Sequence, residues 1–256
     1  MKTIILKISY DGTDYYGFQK QTGNERTTPS IQGRIESVLT SVLGRYFETK
    51  GSGRTDKGVH AIAQVISVVI GDDYELKIPA EGIKSRMNNY LPRDIRVNEV
   101  RIVEGEFHAR GMAKEKTYAY IINYGDYDVF SGRLGWHLRK KIDFTKMRQL
   151  ISLLRGKIFC APFCDGEIDT SALESYYKNI YYFNFYNAVR AKKIIFIIKA
   201  QGFLYKMVRR LIGFLTDYAS GRLELKKVES IMKDYRMRSC YVTAPPEGLF
   251  LYKVKY

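Results

Sequence analysis

Strand-like and helix-like segments mix along this chain without a regular order. In the first half, strand patterns over residues 4–10, 59–70 and 95–103 are separated by helical spacings over residues 30–43 and 80–90. The chain shows neither the regular βαβ spacing that is typical of a parallel sheet nor a ladder of Asn-Gly hairpins. This pattern predicts an α+β fold with a largely antiparallel sheet.

The second half contains similar parts. Its predicted elements, in chain order, are a strand at 117–123, a helix at 144–154, strands near 181–186 and at 194–199, a helix at 203–218 and a strand at 249–255. No low-complexity linker separates the two halves. We therefore predict an N-terminal half over residues 1–104, which carries the aspartate loop described below, and a C-terminal half over residues 105–256.

Length and cysteine content indicate where such a chain folds. The 256 residues are 45% hydrophobic, enough for a substantial core in one domain or in two closely packed halves. Three cysteines are an odd number, which argues against a secreted disulfide framework and predicts a cytoplasmic protein. Cys160 and Cys164 are expected to be buried free thiols. No apolar stretch reaches the roughly 18 residues that a membrane-spanning helix needs.

The charge balance predicts an anionic partner. Lys and Arg number 42 against 27 for Asp and Glu, a formal net charge of +15. Nucleic acid and an acidic membrane surface both attract such a chain. The 21 Tyr and 13 Phe add a slight preference for nucleic acid, because aromatic faces beside cations bind unstacked bases, although most of these rings should fill the core.

The most unusual segment is the glycine-rich loop at residues 51–61. It reads Gly-Ser-Gly-Arg-Thr-Asp-Lys-Gly-Val-His-Ala and places Asp56 between Arg54 and Lys57. Glycines permit a tight backbone, and the two cations would keep a partly buried carboxylate ionised. An ionised carboxylate can act as a nucleophile. A turn with solvated charges is the structural alternative for a loop of this composition.

This loop resembles the catalytic loop of the tRNA pseudouridine synthase A (TruA) family. The family pattern Gly-Arg-Thr-Asp-x-Gly-Val-His-Ala is matched at every specified position. The resemblance covers most of the chain, through further blocks at residues 10–13, 17–21, 31–36, 87–95, 107–110, 114–120, 202–210 and 244–249. It implies the pseudouridine synthase fold, with two related α/β halves that share a central, largely antiparallel sheet, flanking helices and a site between the halves.

The resemblance also implies roles for individual residues. Asp56 would be the nucleophile, and Arg209 would hold its carboxylate ionised and oriented. Arg54, which the charges of the loop already place beside Asp56, is the third candidate catalytic residue. Tyr118 would stack on the uracil of a flipped nucleotide, although periodicity alone would make it an ordinary core aromatic. The other substrate-binding candidates are Lys57, His60, Phe107 and Arg110. Further cations expected near RNA phosphates are Lys20, Arg26, Arg93, Lys114 and Lys116, although a solvated surface charge is the favoured alternative for any single cation.

The activity implied is the isomerisation of uridine in tRNA at positions 38 to 40 of the anticodon stem-loop, by a homodimer and without a cofactor. No phosphate-binding or dinucleotide fingerprint is present, and His60, His108 and His137 are too scattered to predict a metal site. Two alternatives stay open: a paralogue that modifies another tRNA or rRNA uridine, and a noncatalytic RNA-binding protein or chaperone.

Three segments depart from the family pattern. Residues 156–160 replace the Gly-x-His-Asp-Phe that is common in the family, residues 176–180 replace a Thr-Val-Arg-like block, and the loop at 22–28 is long. These differences bear on the RNA position more than on the reaction type. In the helix predicted at 203–218 the apolar stripe is expected to be core, and Arg210 to face solvent or phosphate.

Overall fold

A computed structural model describes residues 1–21 and 29–256 of the chain. Residues 22–28, predicted to be a long loop and including Arg26, therefore lie outside the described residues. The chain forms two compact units, of which unit 1 is Met1–Lys114 with Phe250–Tyr256 and unit 2 is Glu115–Leu249. The division of the catalytic domain at residue 104 stays a prediction; these units change at Lys114 and Leu249.

Unit 1 is a sheet with two helices. Its elements are β1 (Lys2–Tyr10), α1 (Ile31–Leu43), β2 (Lys50–Gly51), β3 (His60–Ile70), α2 (Ala80–Tyr90), β4 (Ile95–Glu104) and β10 (Leu249–Lys255). The strand order is β4-β1-β3-β10, and β2 pairs with β3. β1 is antiparallel to β3 and β4, whereas β10 is parallel to β3 and aligns Phe250 with His60. The first strand and helix bury alternate or helically spaced apolar residues, Ile4, Leu6, Ile8, Ile31, Ile35 and Leu39.

Unit 2 contains mainly antiparallel strands and three α-helices. Its elements are β5 (Glu115–Tyr124), β6 (Trp136–Leu138), α3 (Phe144–Leu153), β7 (Gly156–Phe159), β8 (Tyr177–Ala188), β9 (Lys193–Ala200), α4 (Met207–Ala219) and α5 (Leu225–Lys233). The order β5-β9-β8-β7 is antiparallel at each pairing, and β6 adds a short parallel pairing to β5. α3 contacts α4, and the apolar stripe of α4 is buried as predicted.

The prediction of an α+β fold with a largely antiparallel sheet and flanking helices is confirmed. One predicted boundary is wrong: the helix expected from residue 203 begins at Met207, because Lys206 adopts a left-handed conformation with φ +55°. β2, β6, β7 and α5 were not predicted. Cys160 and Cys164 are buried free thiols, as expected. Within the described ranges, no helix has the length and apolar character needed to cross a membrane.

Candidate functional site

The loop that carries Asp56 connects β2 to β3 and is anchored to β3 by hydrogen bonds. The Ser52 N–H donates to the Val65 carbonyl at 2.7 Å, and the Ser52 hydroxyl donates to Gln64 Oε1 at 2.6 Å. The Gln64 side-chain amide in turn donates to the Gly53 carbonyl at 2.7 Å. Ser52 and Gln64 are completely buried. The first residues of the loop are therefore fixed before the chain reaches Arg54.

The turn after β1 holds the second part of the loop. The Phe18 N–H donates to the Thr55 carbonyl at 3.0 Å, and the Gly58 N–H donates to the Tyr15 carbonyl at 3.3 Å. The hydroxyls of Tyr10 and Thr55 lie 2.8 Å apart. Burial raises the pKa of Tyr10, so its hydroxyl stays protonated and can donate this bond. Asp56 thus lies between two residues, Thr55 and Gly58, that are both tied to the turn.

Two glycines permit this close packing. A Cβ on Gly12 would lie against the Val59 carbonyl oxygen. Gly17 has φ +104°, and a Cβ there would lie 2.7 Å from the Thr55 carbonyl oxygen. The sequence predicted Gly12 as part of a turn after the first strand and found Gly17 only as a member of a family block, and it predicted contact with the Asp56 loop for neither. The signal available was their place beside turn-forming residues directly after a strand.

Asp56 is half-buried, whereas Arg54 and Lys57 on either side of it are exposed. The Val59 N–H donates to the Asp56 carbonyl at 3.1 Å, which closes a turn around the aspartate. The Lys57 ammonium lies 4.0 Å from the centre of the Tyr16 ring, a cation–π contact that directs this side chain. The loop thus presents a carboxylate between two cations at the surface of unit 1.

His60 is only 1% exposed. Its ring stacks on Phe250 with centroids 4.7 Å apart, and its Nδ1 accepts the Gly12 N–H at 3.1 Å. Asp11 Oδ1 also lies 3.1 Å from Nδ1, but this oxygen already accepts the backbone N–H and the hydroxyl of Thr13. Because one nitrogen cannot accept from Gly12 and donate to Asp11, we assign the neutral ring with its proton on Nε2. His60 therefore joins the loop, the turn and β10.

Phe107 and Arg110 lie in a segment held on the sheet of unit 1. The Phe107 ring packs against Tyr256 with centroids 4.8 Å apart, and its N–H donates to the Thr3 hydroxyl at 3.1 Å. The Tyr256 hydroxyl donates to the Ala109 carbonyl at 2.9 Å. The Arg110 side chain itself is exposed, so its guanidinium is accessible to a phosphate.

In unit 2, Tyr118 and Tyr120 point to the same face of β5. Tyr118 is 8% exposed, and its ring forms a T-shaped contact with the Phe203 ring, with centroids 5.1 Å apart. Tyr120 is fully buried, and its hydroxyl donates to the Pro245 carbonyl at 2.8 Å. Burial raises the pKa of Tyr120 well above its usual value. The tyrosine that the resemblance singles out therefore has a fixed ring with a small exposed part.

Arg209 is half-buried in the first turn of α4. Its Nε–H donates to the Ala244 carbonyl at 2.8 Å, and the Ala244 N–H donates to the Arg209 carbonyl at 3.1 Å. The expectation that the next residue, Arg210, faces solvent or phosphate is wrong. Arg210 is 5% exposed because Asp165 and the Tyr241 ring receive its guanidinium inside unit 2.

No group of three or more His, Cys, Asp or Glu side chains that could hold a metal ion occurs among residues 1–21 and 29–256. The candidate residues are thus divided between the two units. Asp56, Arg54, Lys57, His60, Phe107 and Arg110 belong to unit 1, and Tyr118 and Arg209 to unit 2. Unit 1 offers a carboxylate beside cations and aromatic rings, and unit 2 offers a tyrosine ring and an arginine. These groups suit an anionic substrate that contains a nucleobase.

The matching family model and the full-length relatives indicate the same family. The family model described as tRNA pseudouridine synthase matches residues 7–110 and 150–256, which include Asp56 and Arg209. A tRNA pseudouridine synthase A of Dictyoglomus turgidum is 34% identical over 252 residues, with 98% of both chains covered. A protein of the same name from Malacoplasma penetrans is 35% identical over 254 residues, covering 99% of this chain and all of that one. A solved Cbf5-Nop10-Gar1 complex contains a chain with 10% identity and a TM-score of 0.35, of which 54% is covered, against 84% of this chain. On the family model and the full-length relatives, the chain belongs to the tRNA pseudouridine synthase family.

Proposed function

We propose that this chain is an enzyme that isomerises uridine to pseudouridine in tRNA, at positions 38 to 40 of the anticodon stem-loop. The observation that carries the proposal is the half-buried Asp56 in a loop fixed on both sides, between two exposed cations. The same loop matches the family's catalytic pattern at every specified position. Relatives of equal length that are named tRNA pseudouridine synthase A support the tRNA substrate.

The reaction conserves all atoms of the uridine. The bond between uracil N1 and ribose C1′ breaks, a bond between C5 and C1′ forms, the C5 proton leaves, and N1 gains a proton. No oxidant, reductant or second substrate enters, so the proposal includes no cofactor. Asp56 is the nucleophile, either at uracil C6 or at ribose C1′, and both routes start from the ionised carboxylate. We assign Arg54 and Arg209 the task of keeping that carboxylate ionised and oriented.

The target base must leave its stack to reach a carboxylate held in a protein loop. An aromatic wall then compensates for the lost stacking, and we assign this role to Tyr118, whose ring is fixed against Phe203. Lys57 and Arg110 are exposed and would contact RNA phosphates, while Phe107 and the buried His60 would support the site. The net charge of +15 supports a polyanionic partner whose binding weakens as salt is raised.

The proposal includes two finer statements that rest on the family resemblance. The enzyme is a homodimer, which light scattering of the purified protein tests directly by its mass relative to the 29.7 kDa chain. It acts in the cytoplasm, where tRNA is processed and where three free cysteines stay reduced. A monomer in solution across working concentrations would contradict the first statement.

The deciding experiment maps pseudouridine at each position of unmodified tRNA transcripts after incubation with the protein. Asp56→Asn removes the charge and keeps the shape. Asp126→Asn is the matched control, because Asp126 is a fully exposed aspartate that pairs with Lys192 at the surface. We expect product at positions 38 to 40 from the wild type and the control, and none from Asp56→Asn. RNA affinity should be largely kept in all three, because phosphate contacts supply most of it.

The other outcomes separate the remaining possibilities. Product at a different tRNA uridine, or in ribosomal RNA, would show the same chemistry with another substrate position. Salt-dependent RNA binding without product in any transcript would assign the chain to the noncatalytic RNA-binding class. Product from Asp56→Asn at the wild-type rate would exclude Asp56 as the nucleophile.

A further inference from the structure

A second cluster of charged side chains surrounds the start of α4, next to Arg209. Its centre is Asp165, whose carboxylate accepts hydrogen bonds from Lys206 Nζ at 2.6 Å and from Arg210 Nη1 at 3.2 Å. The Asp165 N–H also donates to the Tyr205 carbonyl at 3.2 Å. Three hydrogen bonds thus tie one aspartate to the segment 205–210, which contains Arg209.

Lys206 shows why this segment needs support. It adopts φ +55° immediately before α4 and has no side-chain cap. A left-handed conformation is unfavourable for a residue with a Cβ, so other contacts must maintain it. Partial burial opposes ionisation of Asp165, but the Lys206 ammonium and then the Arg210 guanidinium outweigh it and hold the pKa of Asp165 below its usual value. Asp165 is therefore an anion that stabilises this turn at neutral pH.

Arg210 connects Asp165 to the other support of Arg209. Its Nη1 also donates to the Thr243 hydroxyl at 3.3 Å, and its Nη2 donates to the Arg238 carbonyl. The residue after Thr243 is Ala244, whose carbonyl and N–H both bond Arg209. Burying a guanidinium is more expensive than burying an apolar side chain of equal size. Position 210 nevertheless holds a buried arginine that links two segments, where a hydrophobic residue would be less costly to bury. This indicates that Arg210 serves to orient the segments that it joins.

We propose that Asp165 and Arg210 are positioning residues for Arg209. They fix the first turn of α4 on one side while Ala244 fixes the Arg209 side chain on the other, so that the Arg209 guanidinium is held in one orientation. A long arginine side chain has many rotamers, and restricting them in advance removes an entropic penalty from the reaction. This inference rests on the proposed function, in which Arg209 acts in catalysis.

Kinetics on tRNA test the proposal through Asp165→Asn, which keeps the shape and removes the charge. We expect kcat to fall about 10- to 100-fold, as for a displaced catalytic group, with KM within about twofold because no RNA contact is lost. In a protein that already carries Arg209→Lys, adding Asp165→Asn should lower kcat by no more than about twofold, because both substitutions act through the Arg209 guanidinium. Asp165→Glu should recover part of the activity.

Asp126→Asn is the matched control. Asp126 is a fully exposed aspartate of unit 2 that pairs with Lys192 at 3.4 Å, and neither residue belongs to the cluster around Asp165 and Arg210. Its kcat should equal that of the wild type. Arg210→Lys provides a second variant if Asp165→Asn folds poorly. It keeps the positive charge but loses the planar guanidinium that bonds several partners at once, and we expect the same loss in kcat.

A measurement without RNA separates this inference from the proposed function. In the free protein the Arg209 Nε–H donates to the Ala244 carbonyl, so we expect its exchange with solvent to be slowed, and its NMR signal can be assigned with Arg209→Lys. We expect Asp165→Asn to speed this exchange about 10-fold, because the turn opens more often. Unchanged exchange, or an unchanged kcat in an active enzyme, would overturn the positioning role. An inactive wild type would overturn the proposed function, while the exchange rate would still decide the role of Asp165.

Discussion

Replacing Gly17 by alanine should displace the loop that carries Asp56. Gly17 has φ +104°, and an added Cβ would lie 2.7 Å from the Thr55 carbonyl oxygen and 3.3 Å from the carbonyl carbon of Asp56. Ordinary van der Waals contact begins at 3.4 Å, so the Thr55 carbonyl must retreat by about 0.7 Å, the difference between 3.4 and 2.7 Å. The neighbour is backbone and cannot rotate away as a side chain would.

Two effects of this change can be measured separately. The positive φ alone costs an alanine about 1–2 kcal/mol, and the clash should bring the total loss in unfolding free energy to about 2–3 kcal/mol. Urea denaturation measures that loss. If Asp56 is the nucleophile, as proposed, a displacement approaching 1 Å at its carboxylate should lower kcat by about 100-fold, while KM should stay close to the wild-type value. Initial rates of pseudouridine formation at varied tRNA concentration measure both constants.

Gly44→Ala is the control that separates strain from displacement. Gly44 ends α1 with φ +73°, and a Cβ there would meet nothing within 4 Å. The variant should lose about 1–2 kcal/mol of stability through the same strain and keep the wild-type kcat. Equal kcat values for Gly17→Ala and Gly44→Ala would refute the reasoning, because the contact with the loop would then have no consequence for catalysis.

Three further predictions concern stability and accessibility. Asp217→Ala should lower the unfolding free energy, measured in urea, by about 3 kcal/mol, because the Val242 N–H and the Arg222 guanidinium both lose the buried carboxylate that they bond. A loss below about 1 kcal/mol would contradict this prediction. Burial raises the pKa of Cys160 from 9.0 and that of Tyr241 from 10.0, each to about 12. The folded state therefore favours the neutral forms of both groups. Their contribution to the unfolding free energy is complete below about pH 9 and is lost as the pH rises towards 12. An unfolding free energy that does not fall between pH 8 and 11 would contradict this prediction. A thiol reagent on the native protein at pH 8 should label the half-buried Cys240 first and Cys160 only after denaturant is added, and simultaneous labelling would count against the buried position of Cys160.

Local patterns in the sequence predicted most of the fold. α2 was expected at residues 80–90 and spans Ala80–Tyr90, because Ile83 and Met87 lie one turn apart and a proline precedes the helix. α5 was missed because only Val228 and Ile231 are buried in a short, charged segment. The start of α4 was misplaced because apolar spacing continues through Leu204, while the left-handed Lys206 is maintained by Asp165, which is far from it in sequence.

The candidate site, like the fold, was predicted from the sequence only where the signal is local. The Asp56 loop was recognisable because its unusual residues are consecutive. Its supports were not predicted, because Tyr15, Gly17 and Gln64 approach it only in the folded chain. Arg210 was placed wrongly for the same reason, since the partner that draws it inside is 45 residues away. Patterns along a helix show which side chains share a face, but they do not show which of them will meet an ion of opposite charge.

The pairing of β10 with β3 has a consequence for the order of folding. The whole of unit 2 lies in sequence between β4 and the last strand of unit 1, so contact of Phe250 with His60 closes a loop of nearly two hundred residues. Closing such a loop is entropically less favourable than forming the antiparallel pairings of β1 with β3 and β4, which join residues closer in sequence, and it becomes easier once unit 2 has condensed. We therefore expect β10 to join late. The His60 ring, which directly follows the Asp56 loop, stacks on Phe250. A nascent chain in which only β1, β3 and β4 have paired would therefore still lack this contact beside the loop.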